Sequence, residues 1–244
     1  MGSSHAPEVG VSPQLTLSLK VLAEAKINDS WTPYVYTASD PPESGYNLVT
    51  PSKRGRESTV YLSFIIEHYD HLPPYAAFVH SSDVHWHNDI KGPFTPSVLD
   101  NLHLTHVDRT GYVNLRCGHN PGCPIAINPL SPTQADIDKG DPRAYFADFY
   151  QDIFNVSRNQ VPEHLGAACC SQFVVSRAKI LERPKIDYER MLGWAMDSEK
   201  PINAYGVGWV FESLWHVIFG MPPVYCPDEV MCACDLYGAC DLKA

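Results

Sequence analysis

"YAAFVHSSDVHWHND", residues 75–89, is the stretch on which the reading of the fold turns. Its first five residues are apolar and follow Leu72-Pro73-Pro74, the pattern of a short buried strand opening after a break. Directly behind them, residues 80–89 gather three histidines, two aspartates, an asparagine and a tryptophan. In an open α/β sheet, ligands collect beyond the carboxyl ends of the strands. A strand that runs into so many proton- and metal-capable side chains therefore reads as one rib of an α/β sheet with a binding edge at its tip.

The flanking sequence supplies the rest of such a sheet. "LTLSLKVL" (15–22) alternates and predicts an opening strand, and "ESTVYLSFIIEHYD" (57–70), free of Gly and Pro, predicts a helix. "SVLDNLHL" (97–104) reads as helix and "GYVNLR" (111–116) as strand. "DPRAYFADFYQDIF" (141–154) reads as a helix capped by Asp141 with Pro142 in its first position. "AACCSQFVVS" (167–176) is an apolar strand, and "KPINAYGVGWVFESLWHVIFG" (200–220) ends in a helix stopped by Gly220 and Pro222-Pro223. Strand alternating with helix predicts a three-layer α/β domain with a mostly parallel sheet.

The chain has 244 residues, enough for one sizeable core, and 44% of them are hydrophobic. Lys and Arg number 18 against 28 Asp and Glu, a formal charge of −10, and no basic stripe suited to nucleic acid is present. No apolar run approaches the roughly 20 residues of a membrane helix. "MGSSH" reads as an expression-tag remnant, so a native leader or membrane anchor upstream stays open. The expected organisation is a remnant and flexible N-terminus over 1–14, a single α/β catalytic domain over 15–225, and a Cys-rich tail over 226–244 packed on it.

Eight cysteines, an even number, lie in or near turns. Cys117 and Cys123 bracket "CGHNPGC", and Cys226, Cys232, Cys234 and Cys240 crowd the tail. The pattern favours disulfides made in the secretory lumen or outside the cell over a tail zinc site. The sequons at Asn28 and Asn155 agree with secretion. Adjacent Cys169 and Cys170 are expected to be core residues or partners of distant cysteines, because neighbours rarely pair with each other.

Chemistry-bearing residues fall into four groups. Asp83, His85, His87 and Asp89 recur at spacing two, so in an extended segment they share a face. Such a carboxylate–imidazole set suits Mn²⁺, Zn²⁺, Fe²⁺ or a neighbouring transition ion better than Ca²⁺; the plainer alternative is a polar loop whose histidines bond to backbone. Trp86 and Asn88, set between these ligands, are candidate substrate contacts. Glu212 and His216, four apart on one helix, share a face as base and extra ligand, or else satisfy each other in the core. Arg56 and Glu57 open a helix, where Arg can fork onto phosphate. Gln172 stands on an apolar strand.

"GRESTVYLSFIIEHYDHLPPYAAFVHSS" (55–82), "HWHND", "GYVNLRC", "CCSQFVVSRAKILERPKIDYE" and "ESLWHVIFG" occur in that order between Leu15 and Cys240. Together they resemble the fungal domain-of-unknown-function 3431 family, which is in turn similar to GT-A glycosyltransferases of Rossmann-like architecture. The resemblance implies that Asp83-Val84-His85 stands where such enzymes hold Mn²⁺ against a sugar-nucleotide diphosphate. It implies Arg56 and Glu57 near the nucleotide, Gln172 near the acceptor, and Glu212 or His216 as base or extra ligand; His87 and Asp89 add ligands such transferases do not usually need, and Asp89 is the alternative base to Glu212. The leading expectation is thus a metal-dependent, glycosyltransferase-like enzyme with a small-molecule or glycan acceptor. The alternative is a His-rich Zn²⁺, Fe²⁺ or Cu²⁺ enzyme that hydrolyses, cyclises or oxidises a small molecule. A secreted, disulfide-stapled binding module is the third.

Overall fold

A computed structural model describes residues 8–11 (backbone only), 30–39, 48–197, 199 and 202–241. The strand expected at 15–22 lies outside these residues. Its central element is instead β1 (Glu8–Val11), inside the segment expected to be a flexible remnant: its backbone pairs in parallel with β2 (Thr32–Thr37) and with β4 (Tyr75–Val79). β3 (Leu48–Val49) adds in parallel to β2. On the other side β7 (Phe173–Ser176) runs antiparallel to β4 and to β5 (Tyr112–Asn114). The order is β3-β2-β1-β4-β7-β5, a mixed sheet in which the parallel pairs occupy one half. β6 (Gly166–Ala167) and β8 (Val224–Tyr225) form a separate parallel pair.

Strand alternation sorts the core onto two faces. Ala76, Phe78, Tyr112, Phe173 and Val175 point into one apolar cluster, and Ala77, Val79, Val113 and Val174 into the other. The first is covered by α1 (Glu57–His68), α5 (Phe146–Phe154), α7 (Lys185–Met196), α8 (Ala204–Glu212) and α9 (Trp215–Ile218). Its centre is aromatic: Tyr61 meets Phe78 at 4.9 Å between ring centroids, and Phe173 meets Trp215 at 5.2 Å. The second is covered by α2 (Thr95–Asp100), α3 (Leu104–Thr110) and α10 (Glu229–Tyr237). The short α4 (Gln134–Lys139) buries no residue, and α6 (Arg177–Leu181) contributes Ile180 to the first cluster.

Several sequence expectations shift at this level. The helix foreseen at 141–154 begins as a 3₁₀ turn over Pro142–Tyr145, capped as expected by Asp141, whose carboxylate accepts the Arg143 N–H at 2.9 Å. The single strand foreseen at 167–176 is two, β6 and β7, parted by a turn at Cys170 and Ser171, both with positive φ (103° and 52°). The long helix over 204–218 breaks after Glu212. Ser213 Oγ donates to the Trp209 carbonyl at 2.9 Å, a local bond of the kind that bends helices, and Leu214 leads into α9 as a new start.

The tail is stapled to the domain. Cys117–Cys232 and Cys123–Cys226 join the segment after β5 to it, and Cys234–Cys240 closes the end of α10. Ala233, Leu236 and Tyr237 are buried, and Tyr237 Oη donates to the Leu115 carbonyl at 2.6 Å. The last pair is Cys169–Cys170, so the adjacent cysteines do bond to each other, at the turn just described. Four disulfides are what a chain folded in an oxidising secretory or extracellular environment carries. Among the described residues no helix is long and apolar enough to cross a membrane.

Because Cys234 and Cys240 are only 6 residues apart, their bond restrains the unfolded chain modestly. Cys234→Ser with Cys240→Ser is expected to lower stability by about 2 kcal/mol. Urea unfolding checks this, and an unchanged midpoint would show that the short loop restrains nothing.

Candidate metal centre

β1 and β4 are neighbours at the point where the strand order reverses, the place where open α/β sheets take their ligands. His80 follows the last residue of β4. The segment behind it is not an extended strand. The His85 N–H donates to the Pro93 carbonyl at 2.9 Å, the Asn88 N–H to the His85 carbonyl at 3.2 Å, and the Thr95 N–H to the Asp83 carbonyl. The loop doubles back on residues 93–95, so alternation no longer decides which side chains meet.

Those that meet are His80, His85 and His87. One ring nitrogen from each lies within 4.8 Å of the others, and the ring centroids stand 4.6, 5.1 and 4.1 Å apart for the pairs 80–85, 80–87 and 85–87. His80 Nε2 is 2.7 Å from the Cys170 carbonyl oxygen. A carbonyl only accepts, so Nε2 carries the proton and Nδ1 keeps a lone pair. The Nδ1 atoms of all three histidines are buried without a hydrogen-bond partner. Burial is the main force that holds the imidazoles neutral, pushing His80 and His85 down to about 4 and His87 to about 3, with mutual repulsion adding to it for His85 and His87.

Buried unpartnered polar atoms are rare enough to need a reason, and three in one place point at a shared partner. The donor set fits a borderline transition ion: neutral imidazoles, one already oriented by a backbone carbonyl through its other nitrogen. Period-two spacing left His80 out of the expected group, because it stands just after the strand and outside the set that begins at Asp83, and the bond that orients it comes from Cys170, 90 positions away.

Two carboxylates lie nearby: the charge of Glu57 acts on His85 and on Glu212. Glu57 opens α1 and is buried, 5% exposed. Burial pushes its pKa up, while Arg56, Ser171 and His85 nearby favour the anion, and its Oε2 has no hydrogen-bond partner. Glu212 is held at about 7 by burial and by the neighbouring charge of Glu57, against a hydrogen bond from the Cys170 backbone. Arg56, with φ 54°, lays its guanidinium 5.1 Å above the Tyr205 ring. Trp86 is 65% exposed and receives the Arg116 guanidinium on its face at 5.1 Å.

Other sequence candidates have different employment. His216 is buried and turned to the Pro223 carbonyl, with Nε2 at 2.9 Å, and it does not belong to the histidine group. The break between α8 and α9 explains this, because the i, i+4 face it was to share with Glu212 does not exist. Asp83 also lies outside the group. The Asp89 carboxylate accepts the N–H groups of Cys117 at 3.2 Å and Gly118 at 2.6 Å, tying the loop to the segment after β5. Gln172 and Asn88 bond to each other at 3.0 Å. Gln172 also accepts the His80 N–H at 3.1 Å, and Asn88 donates to Pro93 and Thr95. Both are buried, so they brace the loop that presents the histidines.

Residues 21–235 match the model of a family described as a protein of unknown function, DUF3431. The chain belongs to the DUF3431 family. No curated protein and no solved structure matches it. The matched span takes in His80, His85 and His87, together with Glu57 and Glu212.

Proposed function

We propose that this DUF3431 chain is a metalloenzyme that acts on a small polar substrate by metal-assisted hydrolysis or group transfer, with His80, His85 and His87 as its metal ligands through Nδ1. This reading is carried by three imidazoles that bring one ring nitrogen each within 4.8 Å of the others, each with a buried, unpartnered Nδ1. Three histidines with a further position open are the pattern of a catalytic rather than a structural site. Imidazole donors favour Zn²⁺, Cu²⁺ or Fe²⁺ over the oxygen-seeking Mn²⁺. Such an ion supplies a Lewis acid and lowers the pKa of a bound water or alcohol.

The chain's own groups do the remainder. Glu57, beside His85 with one oxygen uncommitted, accepts a proton from the attacking hydroxyl. Glu212, held at about 7, is poised at neutral pH to share that proton with Glu57, since two adjoining, poorly hydrated carboxylates resist being charged together. Trp86 offers an exposed indole face at the rim for a flat or apolar part of the substrate.

A second reading, sugar transfer from a nucleotide donor on a GT-A-like scaffold with Mn²⁺, draws on the strand order. β3-β2-β1-β4 repeats the 3-2-1-4 arrangement of nucleotide-binding α/β sheets, with the cluster at its switch point. Arg56 would then meet the diphosphate and Trp86 the acceptor. Metal analysis of protein purified without a nickel column separates the two. Stoichiometric zinc, copper or iron that survives dialysis supports the first. Weakly held Mn²⁺ whose binding is strengthened by UDP- or GDP-sugars in calorimetry supports the second. Protein that binds none of these ions rules out both.

A further inference from the structure

The turn between β6 and β7 carries a second convergence of ligand atoms. Sγ of Cys169, Sγ of Cys170 and a carboxylate oxygen of Glu212 lie within 4.8 Å of one another. The two sulfurs are joined as a disulfide, and both residues are buried, at 8% and 5% exposure. They are not sealed in, because Cys169 and Glu212 line a cavity of about 130 Å³ with Arg143, Ala167, Trp209 and Ser213. Glu212 thus lines that cavity and is also near enough to Glu57 for their charges to interact. The other three disulfides join the segment after β5 to the tail or close the tail on itself, whereas this one joins neighbours and spans no loop. A structural staple would gain nothing there from loop closure.

We propose that Cys169, Cys170 and Glu212 form a second metal site, for a thiophilic divalent cation such as Zn²⁺ or Cd²⁺, that exists only when the Cys169–Cys170 disulfide is open. A dithiol or phosphine reductant breaks the S–S bond by delivering two electrons, with two protons taken up, and is itself oxidised to a disulfide or phosphine oxide. The two thiols lose those protons as the cation binds, giving two thiolate donors and one carboxylate. Two sulfurs and an oxygen are a softer set than three imidazoles, so the two sites prefer different ions. They are also mechanically joined, because the Cys170 carbonyl is the group that orients His80. Filling the cysteine site thus reaches the histidine ligands through one peptide unit. The claim does not depend on the histidine cluster binding metal.

Co²⁺ absorption tests it in a background carrying His85→Ala and His87→Ala, which removes the other site. With disulfides intact, no thiolate-to-cobalt charge-transfer band is expected. After mild reduction, with Cys169 and Cys170 shown by alkylation and mass spectrometry to be free, a band worth one equivalent of Co²⁺ is expected. It should vanish in Cys169→Ser with Cys170→Ser, weaken at least tenfold in affinity in Glu212→Gln, and persist in Cys234→Ser with Cys240→Ser. A band that survives loss of Cys169 and Cys170 overturns the proposal. So does the absence of any band once both thiols are free, and so does a pair that stays closed under reductant strong enough to open Cys234–Cys240.

Discussion

Protein carrying His85→Ala together with His87→Ala is expected to bind Zn²⁺ more than about 100-fold more weakly than the unaltered chain. Even loss of an outer partner to a metal-bound histidine costs on the order of 10- to 100-fold, and here two ligands go at once. Neither side chain holds the fold. Their Nδ1 atoms have no partner, the loop is braced instead by the Asn88–Gln172 bond and the Thr95 contacts, and the main-chain bond of His85 survives the substitution. Unchanged circular dichroism alongside lost affinity in a chelator-competition titration is therefore the expected pair of results. Affinity that matches the unaltered chain removes the metal centre and leaves a binding module as the better account. The pH profile gives a separate check. Exposed histidines begin to lose metal below about 6.5, as protons compete for the ligands. Imidazoles already pushed down to about 3 and 4 should keep theirs until the solution approaches that range.

The place of the histidine cluster was legible in the sequence, and its membership was not. An apolar run ending in "HSSDVHWHND" announced a site at a strand tip, because strands of α/β sheets deliver their ligands there. Period-two reasoning then favoured Asp83, His85, His87 and Asp89, which requires an extended chain. The bonds from His85 to Pro93 and from Thr95 to Asp83 fold the segment back instead, and no local residue pattern encodes a partner so formed. His216 stands apart from the cluster for a related reason. Residues 204–218 contain no proline and no late glycine to mark a break, yet the Ser213 hydroxyl turns the chain after Glu212. α1 was legible almost to the residue, because twelve positions without Gly or Pro follow the positive-φ pair Gly55-Arg56. The Cys169–Cys170 bond was illegible. The left-handed turn it needs is made by non-glycine residues, and eight cysteines admit many pairings.

Glu212→Gln is expected to stabilise the metal-free protein above pH 7 by on the order of 3 kcal/mol. The carboxyl is held at about 7 in the folded chain against an ordinary 4.5, and each unit of difference is worth about 1.4 kcal/mol. The sign follows from the protonated form being the one the fold prefers. Below about pH 4.5 the acid is neutral in both states and its site costs nothing; between 4.5 and 7 the unfolded chain releases this proton while the folded chain, with its carboxyl beside Glu57, still holds it, so stability falls across that window and levels off above it. Glutamine keeps an oxygen for the Cys170 backbone N–H and never ionises, so it does not follow that decline. The depressed histidines act the other way, since their burial favours folding at higher pH and is lost on acidification toward 4. They are present in both proteins, so their contribution cancels in the difference between the two curves, and only the carboxyl is read. Urea unfolding at a series of pH values with chelator present measures that difference. It should be near zero at pH 4.5, open up to about pH 7 and level off above it. Curves that stay parallel would mean that Glu212 ionises freely in the folded state, and the shared proton between Glu57 and Glu212 would have to be abandoned even if the histidines hold their ion.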